Sequence, residues 1–287
     1  MGKTALAMKI AARCNTEIIS ADSRQIFREL TIGTAKPSVD ELKRIPHHFI
    51  DSHSISDQYD AAQYGTEALG KINSLFKTHE VVVMCGGSGL YIRAALDGFD
   101  DIPPVPDQTR QFIQNQYNAL GIEWLQAELK RLDPEQLGRI DVQNPARLMR
   151  ALEVRMATGA SISSFQRNAK IRHPFKVIKI GLACEREELY RRIDQRMDEM
   201  IEAGLFTEAE ALFEHRHHQA LQTVGYQEIF GCMQGAYDKD EAIRLLKRNS
   251  RRYAKRQLTW FRKDKEVTWF DISDLESISK KIEELVA

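Results

Sequence analysis

Gly2-Lys3-Thr4-Ala5-Leu6-Ala7-Met8-Lys9-Ile10-Ala11-Ala12-Arg13, and then Glu17-Ile18-Ile19-Ser20-Ala21-Asp22-Ser23-Arg24-Gln25, are the two runs whose reading decides the fold. Residues 4–13 read as a helix, and residues 17–21 as a short buried strand. Gly-Lys-Thr entering a helix is the second half of the phosphate-binding pattern G-x-x-x-x-G-K-[ST]. In that pattern backbone amides and the helix N-terminus hold phosphate oxygens. Lys3 would neutralise them, and the Thr4 hydroxyl would reach Mg²⁺. On local grounds an ordinary helix start stays open. The first half of the pattern and a preceding strand are not present before Gly2, so either a start upstream of Met1 or a chain truncated within the pattern is expected.

The Asp22-Ser23-Arg24-Gln25 run directly follows the strand. A carboxylate at the C-terminal end of a parallel strand points into the ligand crevice of an open α/β sheet, although an Asx turn would also explain it. The same strand-then-turn arrangement recurs downstream. The apolar run at 80–85 (EVVVMC) leads into Gly86-Gly87-Ser88-Gly89-Leu90-Tyr91, whose glycines expose backbone amides and admit close approach. Two further strands are expected at 176–182 and 266–270, and a helical stretch at 69–76. Strand–helix alternation of this kind implies parallel strands covered on both faces.

Around residue 103 the pattern changes. Pro103, Pro104 and Pro106 stiffen the chain, and 107–120 and 122–132 then read as two polar helices. The expected organisation is a core of residues 1–104 and 144–287 with a helical insert at 105–143. Charged helical regions follow at 185–214 and 240–263.

Composition excludes several classes. The 287 residues are 43% hydrophobic and 29% charged, ordinary for a globular protein. No apolar run approaches the ~18 residues of a membrane helix, and no secretory signal is visible, so a cytoplasmic protein without membrane contact is expected. Cys14, Cys85, Cys184 and Cys232 form no C-x-x-C pair and read as core thiols. Adjacent His47 and His48 read as loop packing rather than metal ligands.

Net charge is zero, from 41 basic and 41 acidic residues, yet one stretch is strongly cationic. Lys247, Arg248, Arg251, Arg252, Lys255 and Arg256 recur four apart, followed by Arg262 and Lys263, with no acid before Asp264. Such spacing makes one cationic ridge on a helix, with Tyr253, Trp260 and Phe261 interleaved. A neutral protein that concentrates charge in this way is best explained by a polyanionic partner, with an aromatic ring available to stack on a base.

Taken together, Gly2-Lys3-Thr4, EIISADSRQ, TIGTAKP (31–37), PHHFID (46–51), GGSGLY, ARLMRALEV (146–154) and KRQLTWFRK (255–263) resemble the tRNA dimethylallyltransferases in order and spacing over nearly the whole chain. The resemblance implies a P-loop nucleotide-kinase-like α/β fold, Mg²⁺ as cofactor, and a monomer. Its substrates would be dimethylallyl diphosphate and a tRNA anticodon stem-loop. It implies Asp22 as general base at the adenine amine, with Gly2, Lys3 and Thr4 at the diphosphate. Asp22, Ser23, Arg24, Gln25, Ser88, Arg110, Ala146, Arg147, Leu148, Met149 and Arg150 would touch tRNA. So would Gln222, Thr223, Val224, Gly225, Tyr226, Gln227, Glu228 and Ile229. Arg251, Arg252, Lys255 and Arg256 would do so from the ridge. Arg150 is the candidate arginine for neutralising the leaving group. Two positions depart from the family: Ser88 stands where threonine is usual, and Ala146 where glutamine is frequent. His215, His217 and His218 lack the cysteine partners of a zinc finger. The rival readings are an adenylate prenyltransferase, a small-molecule kinase and a non-catalytic RNA-binding module.

Overall fold

The structure is a computed structural model that describes residues 2–100, 102–166 and 171–286. It divides into two compact units, residues 1–96 with 172–287 and residues 97–171. Met1 lies outside the described residues.

The first unit opens with α1 (Lys3–Arg13), β1 (Ile18–Ala21), α2 (Val39–Arg44), β2 (His47–His48), α3 (Ala61–Leu75), β3 (Val83–Gly86) and α4 (Gly89–Leu96). β1 lies between β2 and β3 and pairs with both in parallel, Ile18 opposite both His47 and Val83. All four β1 residues are buried, as the apolar run required. After the second unit the chain returns with β4 (Lys179–Ala183) and β5 (Val267–Asp271), which form a separate parallel pair. Both sheets are parallel as expected, but the strands fall into two sheets rather than one.

One helix serves both sheets. Ala7, Met8 and Ala11 of α1 pack on Ile18 and Val83. Its Leu6 and Ile10 pack with Ile180, Leu182 and Phe270 and with Ile278 and Ile282 of α13 (Leu275–Val286). The alternation of small and large apolar residues in ALAMKIAA is what lets α1 lie close on both sides.

The main core joins α3 and α4 to four later helices: α9 (Arg186–Glu202), α10 (Leu205–Ala211), α11 (Tyr226–Met233) and α12 (Lys239–Phe261). Within it Tyr64 stacks on Tyr91 with ring centroids 4.3 Å apart, and the Tyr64 hydroxyl donates to Ser20 O at 2.9 Å. That bond anchors α3 beneath the strand that carries Asp22.

The second unit contains α5 (Asp107–Leu132), α6 (Pro134–Leu137), α7 (Pro145–Thr158) and α8 (Ile162–Phe165). The expected break between two helices near 121 is real. Gly121 takes φ 77° and ψ −168° inside α5, a conformation open to glycine. The insert is larger than the expected 105–143. Leu148, Ala151, Leu152 and Val154 of α7 share one core with Ile113, Leu125 and Leu129 of α5, so the helix 145–158 belongs to this unit. Polar surface concealed that affiliation, because only one stripe of α7 is apolar.

Candidate active site

Asp22 emerges at the C-terminal end of β1, and its Oδ1 accepts from the backbone N–H groups of Arg24 at 2.9 Å and Gln25 at 3.4 Å. The Asx turn is therefore present. It engages Oδ1 alone and fixes the direction of the carboxylate, so the turn and the strand-end site are one feature.

The glycine-rich turn docks beside it. Ala21 pairs with Gly86, where a Cβ would lie 2.1 Å from Ala21 O, so only glycine permits this approach. Ser88 N–H donates to Ala21 O at 3.1 Å. Its Oγ accepts from Ser23 N–H at 2.9 Å and donates to Ser23 Oγ at 3.1 Å. Both contacts are made through the hydroxyl, which serine and threonine share.

Gln25 turns away from the site. Its Nε2 donates to Thr34 O and Ala35 O at 3.1 and 3.2 Å, tying the Asp22 turn to the loop at 31–37. That loop is held from α10: Glu208 accepts from the N–H groups of Thr31, Ile32 and Gly33 at 2.7–3.0 Å, and from Tyr226 OH at 2.7 Å. Lys36 closes the loop by donating to Phe27 O at 2.6 Å and pairing with Asp51.

Two arginines share the electrostatic surroundings of Asp22. Burial lowers the pKa of Arg24, opposed by Tyr91, Tyr253 and Asp22. Burial likewise lowers that of Arg196 on α9, opposed by Asp22 and Glu199. Both side chains are half-buried, and a partly desolvated guanidinium favours an anionic partner. Lys3 enters the same field. The Cys85 thiol at the end of β3 is pushed up to about 11 by burial, with Lys3 acting to lower it and Asp22 to raise it. Gly2, Lys3 and Thr4 are exposed at the start of α1, and Gly2 adopts φ 82° as its N-cap. Among the described residues no three His, Cys, Asp or Glu side chains gather as a cation cage.

Sequence reading missed Arg196 and Glu208. Arg196 is one of four arginines on α9, and nothing local distinguishes it. Glu208 looks like any exposed helix acid until the loop amides converge on it. Only the three-dimensional packing selects either residue.

Other expected positions are distributed differently. Arg110, Ala146, Arg147, Leu148, Met149 and Arg150 lie in the second unit. There Leu148 is fully buried, and Arg150 donates to Glu153 at 3.3 Å. Arg147 and Ala146 lie at the start of α7, both exposed. In the 222–229 stretch Tyr226, Glu228 and Ile229 are buried. Glu228 accepts from Gly225 N–H and Asn249 Nδ2, both at 2.7 Å, so its task is to join α11 to α12. The Gln222 and Gln227 side chains bond to each other at 2.7 Å near the surface, while Thr223 and Val224 are half-buried.

The cations of α12 do not form the single ridge that their spacing predicts. Lys247 pairs with Asp198 at 2.6 Å, and Arg251 pairs with Asp194 at 2.5 Å. These two cations are committed to α9. The exposed charge lies toward the C-terminal end of α12 and just beyond it, where Lys255, Arg256, Thr259, Trp260 and Lys263 line an open cleft of about 220 Å³. Arg252 is also exposed. His48 pairs with Glu17, and His47 Nδ1 contacts Ile45 O at 2.8 Å, so both histidines serve strand packing.

Half-buried arginines in the field of a carboxylate at a parallel strand end, with a cationic, aromatic cleft on one helix, define an α/β protein suited to anionic ligands. Comparison with known proteins resolves the class into a family. The chain matches the IPP transferase family over residues 25–264. It is 51% identical to a tRNA dimethylallyltransferase of Cytophaga hutchinsonii over 282 residues, covering 98% of this chain and 93% of that one. A Bacteroides fragilis tRNA dimethylallyltransferase 1 is 46% identical, covering 94% and 90%. The solved structure of a full-length tRNA isopentenylpyrophosphate transferase from Bacillus halodurans superposes with TM-score 0.72 at 36% identity, covering 99% and 93%. A eukaryotic dimethylallyltransferase acting on tRNA shares the fold, with TM-score 0.77 at 22% identity, covering 96% of this chain and 72% of that one. The chain belongs to the IPP transferase family.

Proposed function

We propose that the protein transfers the dimethylallyl group of dimethylallyl diphosphate to the exocyclic amine of the adenosine 3′ of the anticodon, in tRNAs reading codons that begin with U. The observation carrying this reading is the Asp22 carboxylate, held by the Arg24 and Gln25 amides and sharing an electrostatic field with the Arg24 and Arg196 side chains.

The amine nitrogen attacks the allylic carbon while the carbon–oxygen bond breaks, and diphosphate leaves with the bonding electron pair. The proton released by the amine passes to the Asp22 carboxylate. A carboxylate placed within reach of the amine can take that proton as a general base. Charge builds on the leaving group, where Lys3, Arg196 and Arg24 stabilise it electrostatically. Thr4 and the diphosphate oxygens would hold Mg²⁺, which adds further positive charge at the leaving group. A single hydroxyl ligand from the chain suits an ion carried largely on substrate and water. Gly2 completes the diphosphate site through its backbone.

The RNA is engaged by Ser23, Ser88, Arg252, Lys255 and Arg256 in the first unit, and by Arg110, Ala146, Arg147, Met149 and Arg150 in the second. Gln222, Thr223, Val224 and Gln227 add contacts from the 222–229 stretch. The acceptor must be unstacked, which a single-stranded anticodon loop permits at low cost. Acting on tRNA, the enzyme would work in the cytoplasm as a monomer. None of the described helices is long and apolar enough to cross a membrane. Incubating the protein with tRNA, Mg²⁺ and dimethylallyl diphosphate and digesting the RNA for mass spectrometry tests the reading. A five-carbon mass gain on that adenosine is expected, and an unmodified nucleoside under saturating donor would refute it.

A further inference from the structure

The helix that offers charge to the RNA also grips the turn beside Asp22. Gln257, on α12, donates from Nε2 to Gly87 O at 2.9 Å. The contact is tight: a Cβ on Gly87 would lie 2.3 Å from that same Nε2. One turn further on, Trp260 lies over Gly89, where a Cβ would come within 2.1 Å of the indole nitrogen. Two glycines of the turn are thus explained by α12 rather than by a ligand.

From Gly87 the contacts run directly to the reacting carboxylate. Ser88 N–H holds Ala21 O and Ser88 Oγ holds Ser23 N–H, and Ser23 follows Asp22 in the chain. Gln257 also hydrogen-bonds Tyr253, whose ring shares the electrostatic surroundings of Asp22 and Arg24. On the other side of the same helical turns, Lys255, Arg256, Thr259, Trp260 and Lys263 line the exposed cleft. Trp260 belongs to both faces.

We infer that Gln257 is a positioning residue: it clamps the Gly86–Gly89 turn to the RNA-binding helix, so that the turn holding Asp22 is set by the same element that seats the tRNA. The inference rests on the tRNA-prenylating reading of this site. Gln257 reaches the reacting atoms only through Gly87, Ser88 and Ser23. Its loss is therefore expected to fall mainly on how well Asp22 is aimed, with at most a small effect on tRNA binding through Ser23 and Ser88. Aiming is costly to lose, since a displacement of about 1 Å in a catalytic group lowers rate by as much as ~10²-fold.

The test is a double-mutant cycle on Gln257→Leu and Gly87→Ala. Gly87 has no left-handed backbone, so alanine there acts by displacing the Gln257 amide. In the intact protein with tRNA and dimethylallyl diphosphate, each single variant is expected to lower kcat by about ten- to a hundredfold, with the donor KM and the melting temperature close to wild type and the tRNA KM changed by at most a few-fold. The double variant is expected to be no worse than the poorer single one, because both remove one contact. A wild-type kcat in Gln257→Leu overturns the inference, as does a double variant whose losses multiply. A rise in KM for tRNA with unchanged kcat overturns it too, since that makes Gln257 a simple binding residue. If the wild-type protein transfers no prenyl group to tRNA, it is the underlying reading that fails, and the two failures are told apart by that first assay.

Discussion

Arg251 Nη1 reaches both carboxylate oxygens of Asp194, at 2.5 and 2.7 Å, and so has its charge neutralised within the protein. One helical turn earlier Lys247 does the same with Asp198. Part of what reads as an RNA-binding ridge is therefore a clasp between α12 and α9.

This division separates two kinds of variant. Arg251→Ala is expected to cost about 1 kcal/mol of stability, as a partly exposed ion pair does, lowering the melting temperature by roughly 2–4 °C. It should leave the salt dependence of tRNA binding unchanged. Replacing Lys255, Arg256 and Lys263 with alanine should do the reverse. Each lost phosphate contact flattens the slope of log affinity against log salt by roughly 0.7–0.9. Fluorescence titrations of tRNA at several salt concentrations, with a thermal melt of each variant, measure both quantities.

Glu208 carries the second expectation. It accepts from three successive loop amides and from Tyr226 OH, and the loop passes its order to Gln25 and hence to the Asp22 turn. Glu208→Ala would leave those amides to water, at ~1–3 kcal/mol for each polar group still buried. Reduced thermal stability and a loss of prenyl transfer are both expected. Glu208→Gln keeps acceptor oxygen for part of the set and should fall between alanine and wild type in both assays. An alanine variant with wild-type melting temperature would mean that the loop is held elsewhere.

Much of this is legible in the sequence where local chemistry is strict. β1 has to be buried because EIISA is largely apolar around one serine, and the break in α5 is marked by Gly121 between two helical patterns. Asp22 and Gly86 are visible because strand ends in parallel sheets face ligands. The rest depends on partners remote in sequence. Nothing in residues 145–158 announces that Leu148 packs on α5, and nothing around Arg251 announces Asp194, 57 residues earlier. Glu228 falls in a stretch that the family resemblance assigns to RNA, whereas its carboxylate is occupied by Gly225 and Asn249. Helical periodicity reports that a face exists, but not which neighbour neutralises it.

Arg196 gives the third expectation. It is half-buried, with Asp22 among the charges that oppose its desolvation, and a guanidinium there favours an incoming diphosphate. Arg196→Gln should raise the KM for dimethylallyl diphosphate and lower kcat, because the charge it stabilises grows as the bond breaks. Losing a single charge-stabilising donor typically costs ~2.7–4 kcal/mol, or about 10²–10³ in rate. tRNA affinity measured without the donor should stay within a few-fold of wild type. Steady-state kinetics with the donor as varied substrate make the comparison, and an unchanged donor KM and kcat would remove Arg196 from the diphosphate site.

Asp22→Asn is the sharpest test of the chemistry. Asparagine retains the Oδ1 that accepts from the Arg24 and Gln25 amides, so the Asx turn should persist and the fold with it. What disappears is the negative charge and the ability to take a proton. Removal of a general base typically lowers rate by ~10²–10⁴. Removing the charge also takes from Arg24 and Arg196 one of the groups that oppose their desolvation. The substituted site is then more positive, and donor affinity should hold or tighten while turnover collapses. The expected signature is therefore asymmetric: kcat falls by roughly two orders of magnitude or more, donor binding is unchanged or stronger, and tRNA affinity stays within a few-fold. Single-turnover prenyl transfer, with donor binding followed by calorimetry, reads all of these. If the Asp22→Asn variant turned over at the wild-type rate, the proton would have to leave by another route. If donor binding weakened instead, the carboxylate would be holding the metal or the diphosphate rather than the amine.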